Sequence, residues 1–180
     1  MTPYEEFQER SDQINEVNRL LSLQLGERPG CQWAHRMNDS YLIVFHVFAL
    51  EDFCGPYLSP KPEKEYGLAS GLLKRLAKAI CDQCGQSVLD EKLPQLQNVD
   101  EVFLIRHTLA HCFGQAQKIR QGQRLTPDVL RRYGFETDDD ENNRDARWWP
   151  RRFDAYRACV GPVVCLAEWI SGTMKSLRNA

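Results

Sequence analysis

Apolar side chains recur at helical spacing along nearly the whole chain, and this pattern restricts the fold more than any other feature. Residues 3–25 carry apolar side chains mostly three or four positions apart, which predicts a helix that ends near Gly26. Residues 41–53 are apolar on nearly every side, so we expect a helix at the centre of a bundle. The run Asn38-Asp39-Ser40 offers N-cap side chains for that second helix.

Three further segments have the spacing of main helices, and they are residues 66–84, 99–120 and 151–177. A polar linker through Pro94 is expected between the third and fourth helices. Residues 121–150 are predicted to be irregular, with a short helix at 127–133. The β-propensity of residues 41–53 permits a strand, but no hairpin or alternating partner lies nearby. The sequence therefore predicts an all-α bundle of about five main helices.

Length and charge limit the classes of protein to which this chain can belong. Its 180 residues suffice for one domain, and its formal net charge is -2, so any nucleic-acid contact must use a local basic surface. The N-terminus is polar, without a secretion signal, and no apolar run reaches membrane-spanning length. The seven cysteines, an odd number, predict reduced thiols. We therefore expect a cytoplasmic protein that does not bind a membrane.

The candidate catalytic residues lie in the run Arg106-His107-Thr108-Leu109-Ala110-His111, within an otherwise apolar segment. Residues four apart share a helix face, so the two histidines should stack on one side. Arg106 points about 100° away from His107, but its long side chain can reach back. A histidine can move a proton near neutral pH and an arginine can hold a phosphate oxygen. The run thus suits phosphoryl-transfer chemistry without a metal.

This arginine, followed by a polar residue, three further residues and a histidine, resembles the motif of the HEPN superfamily. The resemblance consists of this one motif, together with the helical architecture over most of the chain. It implies that residues 1–180 form a single all-α, HEPN-like domain with a long irregular segment at about 121–150. Many such domains dimerise and are metal-independent endoribonucleases of toxin, antiviral-defence or RNA-processing systems. No metal and no cofactor is expected.

The mechanism that the resemblance implies is cleavage of RNA by its own 2'-hydroxyl group. His111 would act as general base or general acid. Arg106 would stabilise negative charge in the transition state, and His107 would position Arg106, His111 or the phosphate. A homodimer would bring two motifs into one cleft. The expected partners are an RNA substrate, a second copy of the chain and an antitoxin or regulatory protein.

Other interpretations of the same motif remain open. The histidines can be core residues bonded to backbone carbonyls, with the arginine paired to a buried carboxylate. His107 and His111 have the spacing of a zinc helix, but Thr108 stands where a catalytic zinc helix has Glu, and no third ligand is evident. A HEPN-like module that binds RNA, nucleotide or protein without catalysis is the main alternative function.

Candidate RNA contacts lie on either side of the irregular region. Residues 144–152 interleave arginines with aromatics, and Arg147, Trp148 and Arg151 could hold phosphates and stack on bases. Lys118 and Arg120 could extend a phosphate track from the motif helix. In the alternative interpretation, Trp148 and Trp149 attach the loop to the bundle, and the arginines pair with the acidic run at 138–141.

Two further patterns carry weaker hypotheses. Cys81 and Cys84 form a CxxC pair without the second pair that a zinc site needs, so we interpret them as small residues at a helix end. The acidic run at 138–141 lacks the glycine and the distal glutamate of a calcium loop. It is predicted to be a solvated loop.

Overall fold

Six α-helices, one 3-10 turn (Gly55–Tyr57) and one two-stranded ribbon form the secondary structure of the described residues. The computed structural model describes residues 1–26, 30–60, 62, 64–111, 125–139 and 146–175, except for the side chains of Arg152 and Phe153. The main helices are α1 (Pro3–Leu25), α2 (Gln32–Cys54), α3 (Gly71–Cys84), α4 (Gln86–His111) and α6 (Arg152–Thr173). Between the last two lie the short α5 (Pro127–Arg132) and the strands β1 (Phe135–Glu136) and β2 (Trp149–Pro150). The prediction of an all-α bundle is confirmed.

The ends of α1 follow from local chemistry. The Thr2 hydroxyl accepts a hydrogen bond from the Glu5 backbone N–H, and the Glu5 carboxylate accepts one from the Thr2 N–H, at 3.2 and 2.6 Å. This reciprocal pair satisfies two backbone donors that the first turn would otherwise leave open. Gly26 ends the helix with a positive φ of 58°. The predicted bounds of α1 are confirmed.

The start of α2 differs from the prediction. The helix begins at Gln32, so Asn38, Asp39 and Ser40 lie inside it and are buried. The Asn38 amide donates to the backbone oxygen of Asn18 and to the Ser22 hydroxyl, both on α1, and the Ser40 hydroxyl donates to Arg36 O. Asn38 thus bonds to α1 and Ser40 bonds within its own helix, six or more residues after the helix begins, and the N-cap interpretation is wrong.

The linker predicted at Pro94 is also wrong, because α4 runs through it from Gln86. Proline inside a helix removes one backbone hydrogen bond and costs about 3 kcal/mol. Leu89 and Leu96, on either side of Pro94, are both fully buried in the core. Burying each of these side chains contributes about 1.5–3 kcal/mol, which offsets that cost.

Helix α2 is the centre of the bundle and packs against α1, α4 and α6. Its inward side chains include Ile43, Val47 and Leu50, all fully buried. The prediction of a central helix is therefore correct, although Tyr41, Phe45 and Phe48 on its outer side are exposed. Among the described residues, no helix is both long enough and apolar enough to cross a membrane.

The buried carboxylate of Asp100 joins α4 to the start of α3. Its two oxygens accept hydrogen bonds from the backbone N–H groups of Ala69 and Ser70, each at 2.7 Å. The side chain is 2% exposed. Helix α3 begins at Gly71 rather than at residue 66, because Tyr66 and Gly67 have positive φ and the Ser70 hydroxyl caps the helix by accepting from the Leu73 N–H.

Asp100→Asn is expected to lower the free energy of unfolding by about 1–3 kcal/mol. The amide NH₂ group would face a backbone N–H, which leaves one buried donor without an acceptor. Urea unfolding followed by circular dichroism measures the change. Asp12→Asn, on the exposed side of α1, is the control and should change stability by less than about 0.5 kcal/mol. Equal stability of the two variants would contradict the role given to Asp100.

The ribbon pairs antiparallel, with Phe135 opposite Pro150 and Glu136 opposite Trp149. The short helix α5 was predicted, and Thr126 caps it by accepting from the Val129 N–H. The ribbon was not predicted, because two-residue strands carry no alternating pattern. Part of the region expected to be irregular is therefore ordered.

Candidate active site at the end of helix α4

His107 and His111 lie on the last turn of α4 with exposed side chains. Their ring centres are 4.9 Å apart, and the ring planes are inclined by 56°. The spacing of four residues places the rings one above the other on one face. Both imidazoles are thus open to a substrate at the end of the helix.

The pKa of His107 is lowered from its ordinary value. Partial desolvation is the largest cause, and positive charge at His111 and Arg106 adds to it. Each of these disfavours the imidazolium form. His107 is therefore neutral at pH 7 and able to accept a proton, which is the state that a general base needs.

Arg106 extends towards α2 and forms an ion pair with Glu51, through its Nη2 and the Glu51 Oε1. Its guanidinium lies over the rings of Phe48 and Phe103, at 4.9 and 5.8 Å from their centres. The side chain is 15% exposed, and its Nε is buried without a hydrogen-bond partner among the described residues. A phosphate can reach this arginine only by sharing it with Glu51 or by displacing that carboxylate.

Glu51 is a site residue that the sequence analysis missed. It is a carboxylate within the strongly apolar segment 41–53, and it is only 28% exposed. A charged group in such a segment needs a partner, because burying an unpaired charge is costly. That reasoning could have indicated an ion pair, although not with which cation.

Among the predicted RNA contacts that the structure describes, one side chain is buried and two are exposed. Trp148 is 3% exposed, so its ring cannot stack on a base in this conformation, and its assignment to an RNA surface is corrected. Arg151 is exposed and pairs with Glu136 at 3.5 Å, while Arg147 is exposed and its backbone N–H donates to Asp139. Lys118 and Arg120 lie outside the described residues.

The buried tryptophans agree with the alternative interpretation of this segment. Trp148 and Trp149 are both buried and hold the ribbon against the bundle. Asp138 of the acidic run pairs with Arg36 on α2. The ribbon is thus attached by apolar burial and by an ion pair to a helix distant in sequence.

Within the described part of the chain, no three His, Cys, Asp or Glu side chains lie close enough together to bind a metal ion. His107 and His111 therefore have no third ligand among those residues. Cys81 and Cys84 are half-buried free thiols, and the Cys81 thiol donates to Gln86 Oε1 at 3.4 Å. The zinc interpretations gain no support from this arrangement.

His46 is a fully buried histidine in α2. Its Nδ1 lies 2.8 Å from the Leu42 carbonyl oxygen and must donate to it, so Nε2 of the neutral ring accepts from the Ser11 hydroxyl at 3.0 Å. The ring also contacts Tyr156 edge to face. Burial lowers the pKa of His46, which keeps it neutral and structural.

Stability is expected to decrease as the pH falls below about 6.5, because the unfolded chain then protonates His46 and the folded chain does not. The slope from this group is at most about 1.4 kcal/mol per pH unit, between 6.5 and the lowered pKa of the folded state. Urea unfolding at pH 5 to 8 measures it. His46→Gln should show a flatter dependence, and an unchanged slope would contradict this assignment.

Comparison of the chain with protein-family models, with curated proteins and with solved structures gave no match.

Proposed function

We propose that this protein is a metal-independent endoribonuclease of the HEPN type. The observation that carries the proposal is the pair of accessible imidazoles, 4.9 Å apart on the last turn of α4 and next in sequence to Arg106. A cytoplasmic toxin or antiviral-defence role belongs to the same proposal, through the resemblance of the motif and the cysteine usage.

The reaction needs one proton acceptor and one proton donor. The RNA 2'-oxygen attacks the adjacent phosphorus and loses its proton to a neutral imidazole, while the bond from phosphorus to the 5'-oxygen breaks and that oxygen takes a proton from an imidazolium. His107 suits the first role because its pKa is lowered. His111 then supplies the second. The products are a 2',3'-cyclic phosphate and a 5'-hydroxyl end.

In-line attack favours a homodimer. The acceptor and the donor must stand on opposite sides of the phosphorus. The two imidazoles must therefore be separated by two hydrogen bonds of about 2.7 Å each and by the width of the phosphate. This separation is larger than the distance between stacked rings on one helix face. A second copy that faces the end of α4 would provide the opposite histidine. We therefore include a homodimer, with one base and one acid from different chains, in the proposal.

Arg106 would act by exchanging partners. Its Nη2 is bonded to Glu51 in the resting protein. A phosphate that approaches the histidines would compete with this carboxylate for the guanidinium, whose planar donors match phosphate oxygens. The ion pair would then hold the arginine in place until substrate binds.

Incubation of the purified protein with labelled RNA in excess EDTA tests the proposal. Fragments that carry 2',3'-cyclic phosphate and 5'-hydroxyl ends are expected. Fragments with 3'-hydroxyl and 5'-phosphate ends, or cleavage that depends on added metal, would contradict it.

A non-catalytic RNA-, nucleotide- or protein-binding module is the second candidate. It is favoured by the pairing of Arg106 with Glu51, which offsets the charge that the transition state of cleavage would need. Fluorescence anisotropy with labelled single-stranded RNA distinguishes the two. Retained binding without cleavage of any RNA would favour the binding module.

A further inference from the structure

An open apolar groove runs between α1 and α2, with a volume of about 490 Å³. Ile14, Val17 and Leu21 of α1 line one wall, and Tyr41, Phe45 and Phe48 of α2 line the other. All except Ile14 are between 43% and 57% exposed. A continuous apolar surface of this kind is unusual on a protein that has no partner, and it marks an interaction site.

The groove has the length of a short helix. From Arg10 to Leu21, the lining residues of α1 span about 16 Å, or three helical turns. Apolar residues at positions i, i+3, i+4 and i+7 of a partner helix would fill such a groove along its length. The parallel walls of two helices leave no unpaired strand edge for an extended peptide.

The rim on the α1 side is acidic. Gln13 and Val17 line both the groove and the neighbouring depression, whose other lining residues are Glu5, Gln8, Glu9, Asp12 and Glu16. Arg19 pairs with Glu16 at 2.7 Å and offsets one of these charges. Inside the groove, Arg10 is already paired with Glu6 and Asp52. The rim therefore presents excess negative charge to whatever lies in the groove.

This charge selects among the possible occupants. A symmetric pair of identical chains would bury the same face on both sides and bring two acidic α1 rims together. An anionic membrane surface would be repelled in the same way. A helix with apolar anchors on one face and lysines or arginines beside them matches both the groove and the rim.

We propose that the α1–α2 groove is the docking site of a basic amphipathic helix from a partner protein. The docked helix covers Phe48, whose ring also contacts the Arg106 guanidinium, 4.9 Å from the ring centre. The proposal does not depend on ribonuclease activity, because the residues that line the groove do not include Arg106, His107 or His111.

The test uses the full chain and a set of fluorescent 14-residue helical peptides that vary in their apolar anchors. Each is made in a lysine-flanked form, a glutamate-flanked form and a scrambled form. Anisotropy titration should show lysine-flanked peptides binding at least about tenfold more tightly than their glutamate-flanked counterparts, as expected for several opposite charges at one rim. No preference for the lysine-flanked form in any pair would overturn the proposal.

Variants locate the binding. Phe45→Asp should abolish it, whereas Trp33→Ser, an exposed apolar residue outside the groove lining, should retain it. Asp12→Lys should weaken it and reduce its salt dependence. Circular dichroism checks that each variant is folded. Binding that survives Phe45→Asp would overturn the proposal.

Two other occupants are outcomes of the same test. Light scattering that shows a dimer lost in Phe45→Asp would assign the groove to a second copy and overturn the proposal. Flotation with phosphatidylglycerol vesicles that is lost in Phe45→Asp would assign it to a membrane and overturn it as well. RNA cleavage, measured separately, bears on the ribonuclease proposal alone.

Discussion

His111→Ala is expected to lower the rate of RNA cleavage by about 10²- to 10⁴-fold, which is the usual contribution of one acid or base group. The side chain is exposed at the last residue of α4, so its removal leaves the core intact. His107→Ala should produce a loss of similar size. Single-turnover cleavage of labelled RNA in EDTA measures both rates.

His35→Ala is the matched control for these variants. His35 lies near the start of α2 and bonds to the Gly26 carbonyl oxygen, away from the motif in sequence and on another helix. Its loss should leave the cleavage rate within about twofold of the wild type, since it takes no part in proton transfer. If His111→Ala cuts RNA as fast as this control does, the proposed site is wrong.

The pH dependence of cleavage gives a second readout of the same site. A general base works only when deprotonated, so the rate should rise with pH as His107 loses its proton. Because the pKa of His107 is lowered, the midpoint of this rise should lie below about 6.5. His107→Ala should remove this rise of the cleavage rate with pH. A rise that persists in the variant would show that another group is the general base.

Gly134→Ala is expected to lower the free energy of unfolding by about 3 kcal/mol or more. Gly134 has a φ of +74°, and a Cβ there would lie 2.6 Å from the backbone nitrogen of Ala155 and 2.7 Å from the carbonyl carbon of Asp154. Its carbonyl oxygen also accepts from the Arg151 N–H at 2.7 Å. The added methyl group would separate the ribbon from the first turn of α6.

Two other glycines distinguish the effect of the positive φ from that of the steric clash in the Gly134→Ala variant. Gly85 has a φ of +93°, and no atom of the described residues other than its chain neighbours lies within 4 Å of an added Cβ, so Gly85→Ala reports the cost of the backbone conformation alone, about 1–2 kcal/mol. Gly161 lies inside α6 with the same open space, and its alanine variant should be neutral or stabilising by up to about 1 kcal/mol. Urea unfolding measures all three. A Gly134→Ala loss no larger than that of Gly85→Ala would contradict the close approach.

Helix bounds were predictable where local chemistry sets them and not where packing does. Thr2 and Thr126 cap their helices through hydrogen bonds to neighbours in sequence, and α1 and α5 begin close to where the pattern indicates. Asn38 has the character of a cap but bonds to α1 across the bundle. Pro94 has the character of a linker but lies between two leucines that the core buries.

The candidate site likewise has features that local sequence predicts and features that only packing sets. The spacing of His107 and His111 places them on one face through helix geometry alone, and the structure has their rings 4.9 Å apart. The partner of Arg106 is Glu51, 55 residues away along the chain. The burial of Trp148 likewise depends on the ribbon and on the helices beneath it. No local pattern contains such contacts.

The sequence by itself determined that the chain is helical, that its second helix is central and that two histidines share one face, because helical periodicity acts over three or four residues. Only the tertiary structure decided that Arg106 is held by a carboxylate of α2 and that three aromatics of α2 face outwards beside α1. These features depend on which helices pack together and at what register. The packing is set by the free energy of burying apolar surface, summed over the whole bundle.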